Sequence, residues 1–251
     1  GSGDTAPGTP PHVHPRDPRP VDTGLWRASL AGMTLKFSMS RHGDRLVVPA
    51  HGEDGDWILK TPDRAFPGLQ VNELAVMRLA GQVGIDVPEV ALWDRASIDD
   101  LGPGAWPSEE TQAYAVRRFD RSDRGRIHSE DFAQALGRFG AGDGKYNSSV
   151  EEVAATAYRG QDLDSLREMV RRTVFNLLVG NGDAHLKNWS LIYPDRRTAR
   201  LSPAYDLVCT GSCRARAAIL RGQDPGRGRS CSLYPSPAGS TGRSRGRPPR
   251  G

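Results

Sequence analysis

Apolar and polar positions along this chain change their prevailing period about halfway through. Alternation with a step of two, the mark of a half-buried strand, runs through residues 26–30, 35–39, 45–48 and 57–60, with Gly-, Asp- and His-rich turns between them. The prediction is a small antiparallel sheet. A helix then opens near Glu73, with Val76, Leu79, Ala80 and Val83 as its apolar face and Gly84 at its end. Two more strands follow, one at 90–93 and one in the alternating stretch 113–121 that ends in a charged cluster. Beyond His128 the step becomes three to four. Ser129 is placed to cap a helix through Leu136, and Ser149 one over residues 150–158. A long helix over 162–179 carries Leu163, Leu166, Val170, Val174, Leu177 and Leu178, a stripe that predicts one buried face. Gly180 and Gly182 end it. Trp189, Leu191 and Tyr193 alternate again, Pro194-Asp195-Arg196 makes a turn, and Leu201 begins the return strand of a hairpin.

The two ends read differently. Residues 1–24 hold six prolines and almost no large apolar side chains, which predicts an extended, disordered lead, and the Gly-Ser-Gly start suggests a fragment. Residues 211–251 are Arg, Gly, Ser and Pro with little periodicity, and disorder is expected there as well. A frameshift in a GC-rich gene accounts for that composition; nucleic-acid binding by an arginine-rich tail is the other reading. The tail holds nine arginines against one aspartate, so the net charge of +4 belongs to it, and the rest of the chain is slightly acidic. No apolar run approaches the ~20 residues that span a bilayer, so no membrane partner is expected; direct nucleic-acid binding is not expected either. With no charged-then-apolar leader, a cytoplasmic protein is expected. Cys209, Cys213 and Cys231 lack a paired metal spacing.

Chemistry concentrates in Gly180-Asn181-Gly182-Asp183-Ala184-His185-Leu186-Lys187-Asn188, a turn between helix and hairpin. Asp183 and Asn188 have the spacing of the protein-kinase catalytic loop, where the Asp accepts a hydroxyl proton and the Asn holds a metal. The hairpin then delivers Asp206, a second carboxylate where a magnesium ligand is wanted. Hard cations that offset phosphate charge prefer such carboxylate and carboxamide oxygens. Asp183-Ala184-His185 is also an Asp-x-His pair of the kind that binds transition metals, but the Gly-Asp-x-x-Asp and Gly-Asn-His of a dinuclear hydrolase do not occur. In the strand-rich half, the turn Ser29-Leu30-Ala31-Gly32-Met33-Thr34-Leu35-Lys36 can offer backbone N–H groups to phosphate. Lys60 ends an apolar strand and Glu73 opens the next helix, an arrangement that suits a phosphate-fixing ion pair. Taken singly, these features fit a turn-forming Asp, a plain hairpin and a surface Lys better than they fit phosphate chemistry.

Together, Ser29-x-Ala31-Gly32-x-x-x-Lys36, Ile58-x-Lys60-x-Pro62, Asn72-Glu73, Arg118-Phe119-Asp120-Arg121, Glu130-Asp131-x-x-Gln134, Lys145-Tyr146, Gly182-Asp183-x-His185-x-Lys187-Asn188 and Pro203-x-Tyr205-Asp206 resemble the HipA family of bacterial serine/threonine kinase toxins. The resemblance spans about Ala28 to Thr210. It implies an α+β, two-lobed protein-kinase-like fold: a β-rich small lobe at 25–121 and a helical large lobe at 122–210, shorter than family members carry. It implies ATP and Mg2+ as cofactors, Asp183 as catalytic residue, and Asn188 and Asp206 as magnesium ligands. Ala31, Gly32, Met33, Thr34, Leu35 and Lys36 would cover the phosphates, and Lys60 would contact them. Arg117, Arg118 and Phe119 would form the adenine hinge, with His185, Lys187 and Tyr205 lining the nucleotide site and Ser29 as an autophosphorylated serine. The partners implied are a protein substrate, with an aminoacyl-tRNA synthetase the best-known type, and a small DNA-binding antitoxin. A non-catalytic remnant that only binds a partner is the competing expectation.

Overall fold

Three of the four leading stretches form strands: β1 (Lys36–His42), β2 (Arg45–Val47) and β3 (Trp57–Lys60). The fourth, at 26–30, lies outside the residues that the computed structural model describes, which are 34–50, 53–138 and 148–210. The proline-rich lead, the arginine-rich tail and Lys145-Tyr146 also lie outside them. Next come α1 (Leu69–Gln82), β4 (Val90–Asp94), β5 (Ile98–Asp99) and β6 (Gln112–Arg117). The strands make one sheet in the order β4-β6-β3-β1-β2-β5, antiparallel except for the β2–β5 pair. Gly55 lets the chain pass close over β1 on its way into β3: a Cβ there would sit 2.5 Å from the Met39 carbonyl oxygen.

One cluster packs Phe37, Met39, Leu46, Trp57 and Leu59; a second joins Tyr114 and Val116 of β6 to Leu74, Val76, Met77 and Ala80 of α1. The contact face of α1 is rotated from the expected one. Leu79 and Val83 are 44% and 52% exposed, because two polar residues, Gln70 and Glu73, take inward positions. Each has a partner that justifies burial. Gln70 Nε2 donates to the Thr61 carbonyl at 3.0 Å, and Glu73 meets Lys60.

Then follow β7 (Arg121–Ser122), β8 (Gly125–Arg126), β9 (His128–Asp131), α2 (Phe132–Ala135), α3 (Val150–Tyr158), α4 (Leu163–Leu178), β10 (Ser190–Tyr193) and β11 (Arg200–Leu201). The helix expected from Ser129 does not begin there. Residues 128–131 pair instead with β10, Ser190 opposite Asp131 and Tyr193 opposite His128. The cap moves to Asp131, whose side chain takes the Gln134 N–H at 2.8 Å while Gln134 Oε1 takes the Asp131 N–H at 2.9 Å. The Glu130-Asp131-x-x-Gln134 motif is therefore a strand end followed by a capping box. Ser149 caps α3 through the same reciprocal bonds with Glu152, as expected. The β9–β10–β11 sheet and helices α2 to α4 bury Phe132, Val153, Met169, Leu186, Trp189 and Leu191 together.

Helix α4 corrects the sequence expectation most. Leu163, Val170, Val174 and Leu177 are 49–53% exposed and Leu178 is 81% exposed. The inward face is Ser165, Met169, Arg172, Phe175 and Asn176. Arg172 can be buried because its Nε donates to Glu168 at 2.9 Å and its Nη2 to the Ser202 carbonyl at 2.8 Å. Among the described residues, no helix is long and apolar enough to cross a membrane.

Candidate active site

Register places the first two components. Lys36 and Lys60 are opposite each other on β1 and β3, so both ammonium groups leave the same face of the sheet. Glu73, one turn into α1, reaches Lys60 Nζ at 2.5 Å, the ion pair expected of these two residues. Asp206 closes the cluster: Oδ1 pairs with Lys60, and Oδ2 lies 3.4 Å from Lys36 Nζ. Both lysines and Glu73 are over nine-tenths buried. Two ammoniums thus face two carboxylates away from bulk water.

Each charge is set by its neighbours. Burial opposes ionisation of Asp206, but Lys60 and Lys36 outweigh it and hold the carboxyl well below the usual carboxylate range. Burial also opposes the charge on Lys60, and Asp206 with Glu73 overcomes it, raising the ammonium above its ordinary value. Burial prevails at the two outer members, pushing Glu73 up and Lys36 down. Asp206 itself has a φ of 55°, in the left-handed region that Asp tolerates better than most side chains.

The loop carrying Asp183 and Asn188 is fastened to the Asp206 segment at two points. The Gly182 N–H donates to Thr210 Oγ1 at 2.7 Å, and that hydroxyl donates to the Gly180 carbonyl at 3.0 Å. The Tyr205 hydroxyl donates to the Lys187 carbonyl at 2.9 Å and lies 2.6 Å from Ser190 Oγ. Gly180, at φ 65°, makes the left-handed step that turns the chain out of α4 into this loop. Asn188 sits at the end of a short 3-10 turn, Leu186–Asn188, with its Oδ1 accepting the His185 N–H at 3.3 Å. Asn188, Asn181, Ala184, Tyr205 and Leu207 line one recess, so the loop and the Asp206 segment share a surface.

The other expected residues scatter around this cluster. Lys36 opens β1 rather than lying in a loop, while Leu35 packs on the core beneath the sheet. Thr34 is half-buried just before it. Ala31, Gly32, Met33 and Ser29 lie outside the described residues. Of the hinge triplet, the Arg117 and Arg118 N–H groups are committed to the Glu89 and Asp56 carbonyls at 2.9 and 2.8 Å. The Arg118 side chain is committed to Asp120. The Phe119 ring packs 5.5 Å from that of Tyr205, which ties the triplet to the Asp206 segment. His185 is buried beneath the loop, and Lys187 contributes its backbone carbonyl. As possible metal ligands, Asn188 and Asp206 supply a carboxamide and a carboxylate oxygen. Among the described residues no group of three or more His, Cys, Asp or Glu is placed so that it could hold a metal ion. A hard cation that draws its remaining oxygens from phosphate and water suits so sparse a set.

The profile of the HipA-like C-terminal domain matches residues 28–232, more than half of the chain. The chain belongs to this family. The match continues past Thr210, where the recognisable motifs end. Among HipA-like relatives, the protein named "Putative kinase Y4dM" from Sinorhizobium fredii is 45% identical over 188 residues, 73% of this chain and 45% of Y4dM. The serine/threonine-protein kinase toxin HipA of Shewanella oneidensis is 28% identical over 211 residues, 76% of this chain and 45% of that protein. The chain thus spans somewhat under half the length of these relatives. The solved complex of Shewanella oneidensis HipA with HipB and operator DNA superposes with a TM-score of 0.56 at 24% identity, over 79% of this chain and 53% of HipA. It shares the fold.

Several residues that build this HipA-like site carry no recognisable catalytic spacing. Asn72 grips the backbone beyond Asp206 with both ends of its amide: Oδ1 accepts the Cys209 N–H at 2.9 Å and Nδ2 donates to the Cys209 carbonyl at 3.1 Å. The motif pair Asn72-Glu73 thereby fixes the Asp206 segment and its lysine partner from one helix. Thr210 and the pair Asn176–Asn181 act similarly on the loop that carries Asp183. A signal was present in α4, where Arg172 and Asn176 share the Met169 face.

Proposed function

We propose that this chain is the core of an ATP-dependent serine/threonine protein kinase of the HipA type, with a small lobe over residues 25–121 and a helical lobe over 122–210. The observation that carries this reading is Lys60 bridging Glu73 and Asp206. A lysine held by a helix glutamate and a loop aspartate is the arrangement that phosphoryl transfer uses to fix phosphate oxygens.

In this reading Lys60 and Lys36 meet the triphosphate, the backbone of residues 31–36 covers it, and residues 117–119 hold the adenine. His185, Lys187 and Tyr205 complete the nucleotide wall. Asp183 orients the substrate hydroxyl and takes its proton as that oxygen bonds to the γ-phosphorus and the bond to the β,γ-bridging oxygen breaks, leaving ADP. Asn188 and Asp206 would hold magnesium, which when bound offsets charge on the phosphate oxygens. Phosphate on Ser29 would control the covering segment. The family relation supports a toxin role, a small DNA-binding antitoxin as partner and a protein substrate such as an aminoacyl-tRNA synthetase.

Thermal unfolding with and without Mg2+ and ATP tests the proposal, since a ligand that binds only the native state raises Tm. The expected result is an upward shift needing both ligands, lost in Asp206→Ala and kept in Asp183→Ala, with phosphate transfer lost in both. A cooperative transition indifferent to ATP would overturn the nucleotide site and favour a non-catalytic binding protein.

A further inference from the structure

Beneath the catalytic loop lie two asparagines that the proposed chemistry does not use. Asn176, in the last turn of α4, and Asn181, in the loop, are each 3% exposed. Three hydrogen bonds join them to each other and to the loop. The Asn181 N–H donates to the Asn176 carbonyl at 2.9 Å, and Asn181 Nδ2 donates to Asn176 Oδ1 at 3.0 Å. Asn181 Oδ1 then accepts the Asp183 N–H at 3.1 Å.

We infer that the Asn176–Asn181 amide pair is a positioning device that transmits the rigidity of α4 to the backbone of Asp183. The argument is one of donor and acceptor counts. Asn181 donates on one side and accepts on the other from a single planar carboxamide, so both bonds are made by one rigid head group. Its backbone is fixed by the same residue that fixes its side chain, so the amide cannot swing without breaking a second bond. Both residues also line the recess shared with Asn188 and Tyr205. The pair therefore sits under both halves of the loop. Gly180 and Gly182 flank Asn181 and add no side-chain restraint of their own, and Thr210 holds their backbone from the other side.

This inference rests on the kinase reading for the meaning of Asp183, and two measurements separate the two claims. The first is amide hydrogen exchange in the full chain, which needs no activity. Asn181→Leu should speed exchange at the Asp183 amide by about tenfold, the effect of losing one buried acceptor, and leave amides of the β1–β3 pair unchanged. The second is phosphate transfer from MgATP to casein. Asn181→Leu should lower kcat by up to about 100-fold, the cost of a displaced catalytic group, with the KM for ATP nearly constant. Asn181→Asp keeps the acceptor for the Asp183 N–H, and Asn176 can turn its amide to donate to it. It should recover most of kcat and most of the exchange protection. Unchanged Asp183 exchange in Asn181→Leu, or equal kcat loss in the Leu and Asp variants, overturns the inference. If the wild-type chain transfers no phosphate while Asn181→Leu still speeds exchange, the anchor stands and the kinase reading fails.

Discussion

Asp206→Asn takes one carboxylate from a site where two ammonium groups depend on it. Lys36 and Lys60, 7% and 6% exposed, would be left with Glu73 alone. Removing one partner of a fully buried pair costs about 3–5 kcal/mol. The Asp206 side chain is 26% exposed, so water moderates the loss, and about 2–4 kcal/mol is expected. For a chain of this size, 3 kcal/mol corresponds to a Tm lower by roughly 6–12 °C. The pH dependence separates this cause from a packing defect. Asp206 has a depressed carboxyl pKa, so its contribution is complete above the unfolded value of about 3.9 and fades as pH falls through the lower folded value. The difference between wild type and variant should be flat from about pH 5 to 8 and narrow below about pH 4. At the alkaline end, losing Asp206 makes it easier for a buried lysine to shed its proton. A lysine whose folded pKa is depressed costs stability below that pKa, and the cost is relieved as pH climbs toward about 10.4. The variant should then regain stability relative to wild type above about pH 8. Urea unfolding followed by tryptophan fluorescence across this range is the assay. A variant within about 0.5 kcal/mol of wild type at neutral pH, or a deficit that does not vary with pH, would refute the charge argument.

Three further outcomes follow from named contacts. Asn72→Leu removes both bonds to the Cys209 backbone and should cost about 1–3 kcal/mol by chemical denaturation, with a weaker ATP-induced Tm shift. Asp162→Ala deprives α4 of the side chain that accepts the Ser165 N–H at 2.9 Å and should cost about 1–2 kcal/mol. Val174→Glu and Leu178→Lys, on the exposed stripe, should leave stability within about 0.5 kcal/mol and reduce self-association in sedimentation runs, because the apolar face they interrupt touches solvent.

What the sequence made legible was governed by local rules. The β1 and β3 strands, the α3 cap, the β10–β11 hairpin and the Lys60–Glu73 pair all rest on short-range periodicity, capping or spacing. The errors came where tertiary partners decide. Periodicity counts apolar side chains, so it assigned the Leu163–Leu178 stripe of α4 to the interior; the face actually buried includes Ser165, Arg172 and Asn176, each stabilised by a partner distant in sequence or by a loop. Ser129 looked like a cap because nothing local revealed that β10 would claim residues 128–131 as a strand. In the candidate site, the motifs included Lys60, Asn72, Asn188 and Asp206, but they gave Asn72 no role and did not single out Thr210 and Asn181, whose side chains serve the backbone and follow no spacing rule.

The four-charge cluster also bears on the order in which the molecule is made. Lys36, Lys60 and Glu73 leave the ribosome before Asp206, and their sheet and helix can begin to pair while that segment is still being synthesised. At that stage two lysines share one carboxylate, and the missing negative charge lies 133 residues beyond Glu73, at Asp206. The nascent sheet must keep an ammonium hydrated, and so stay partly open, until the β10–β11 hairpin has emerged and carried Asp206 back across the molecule. Closure of the site therefore follows the pairing of the sheet with α1, because it waits for Asp206 to emerge.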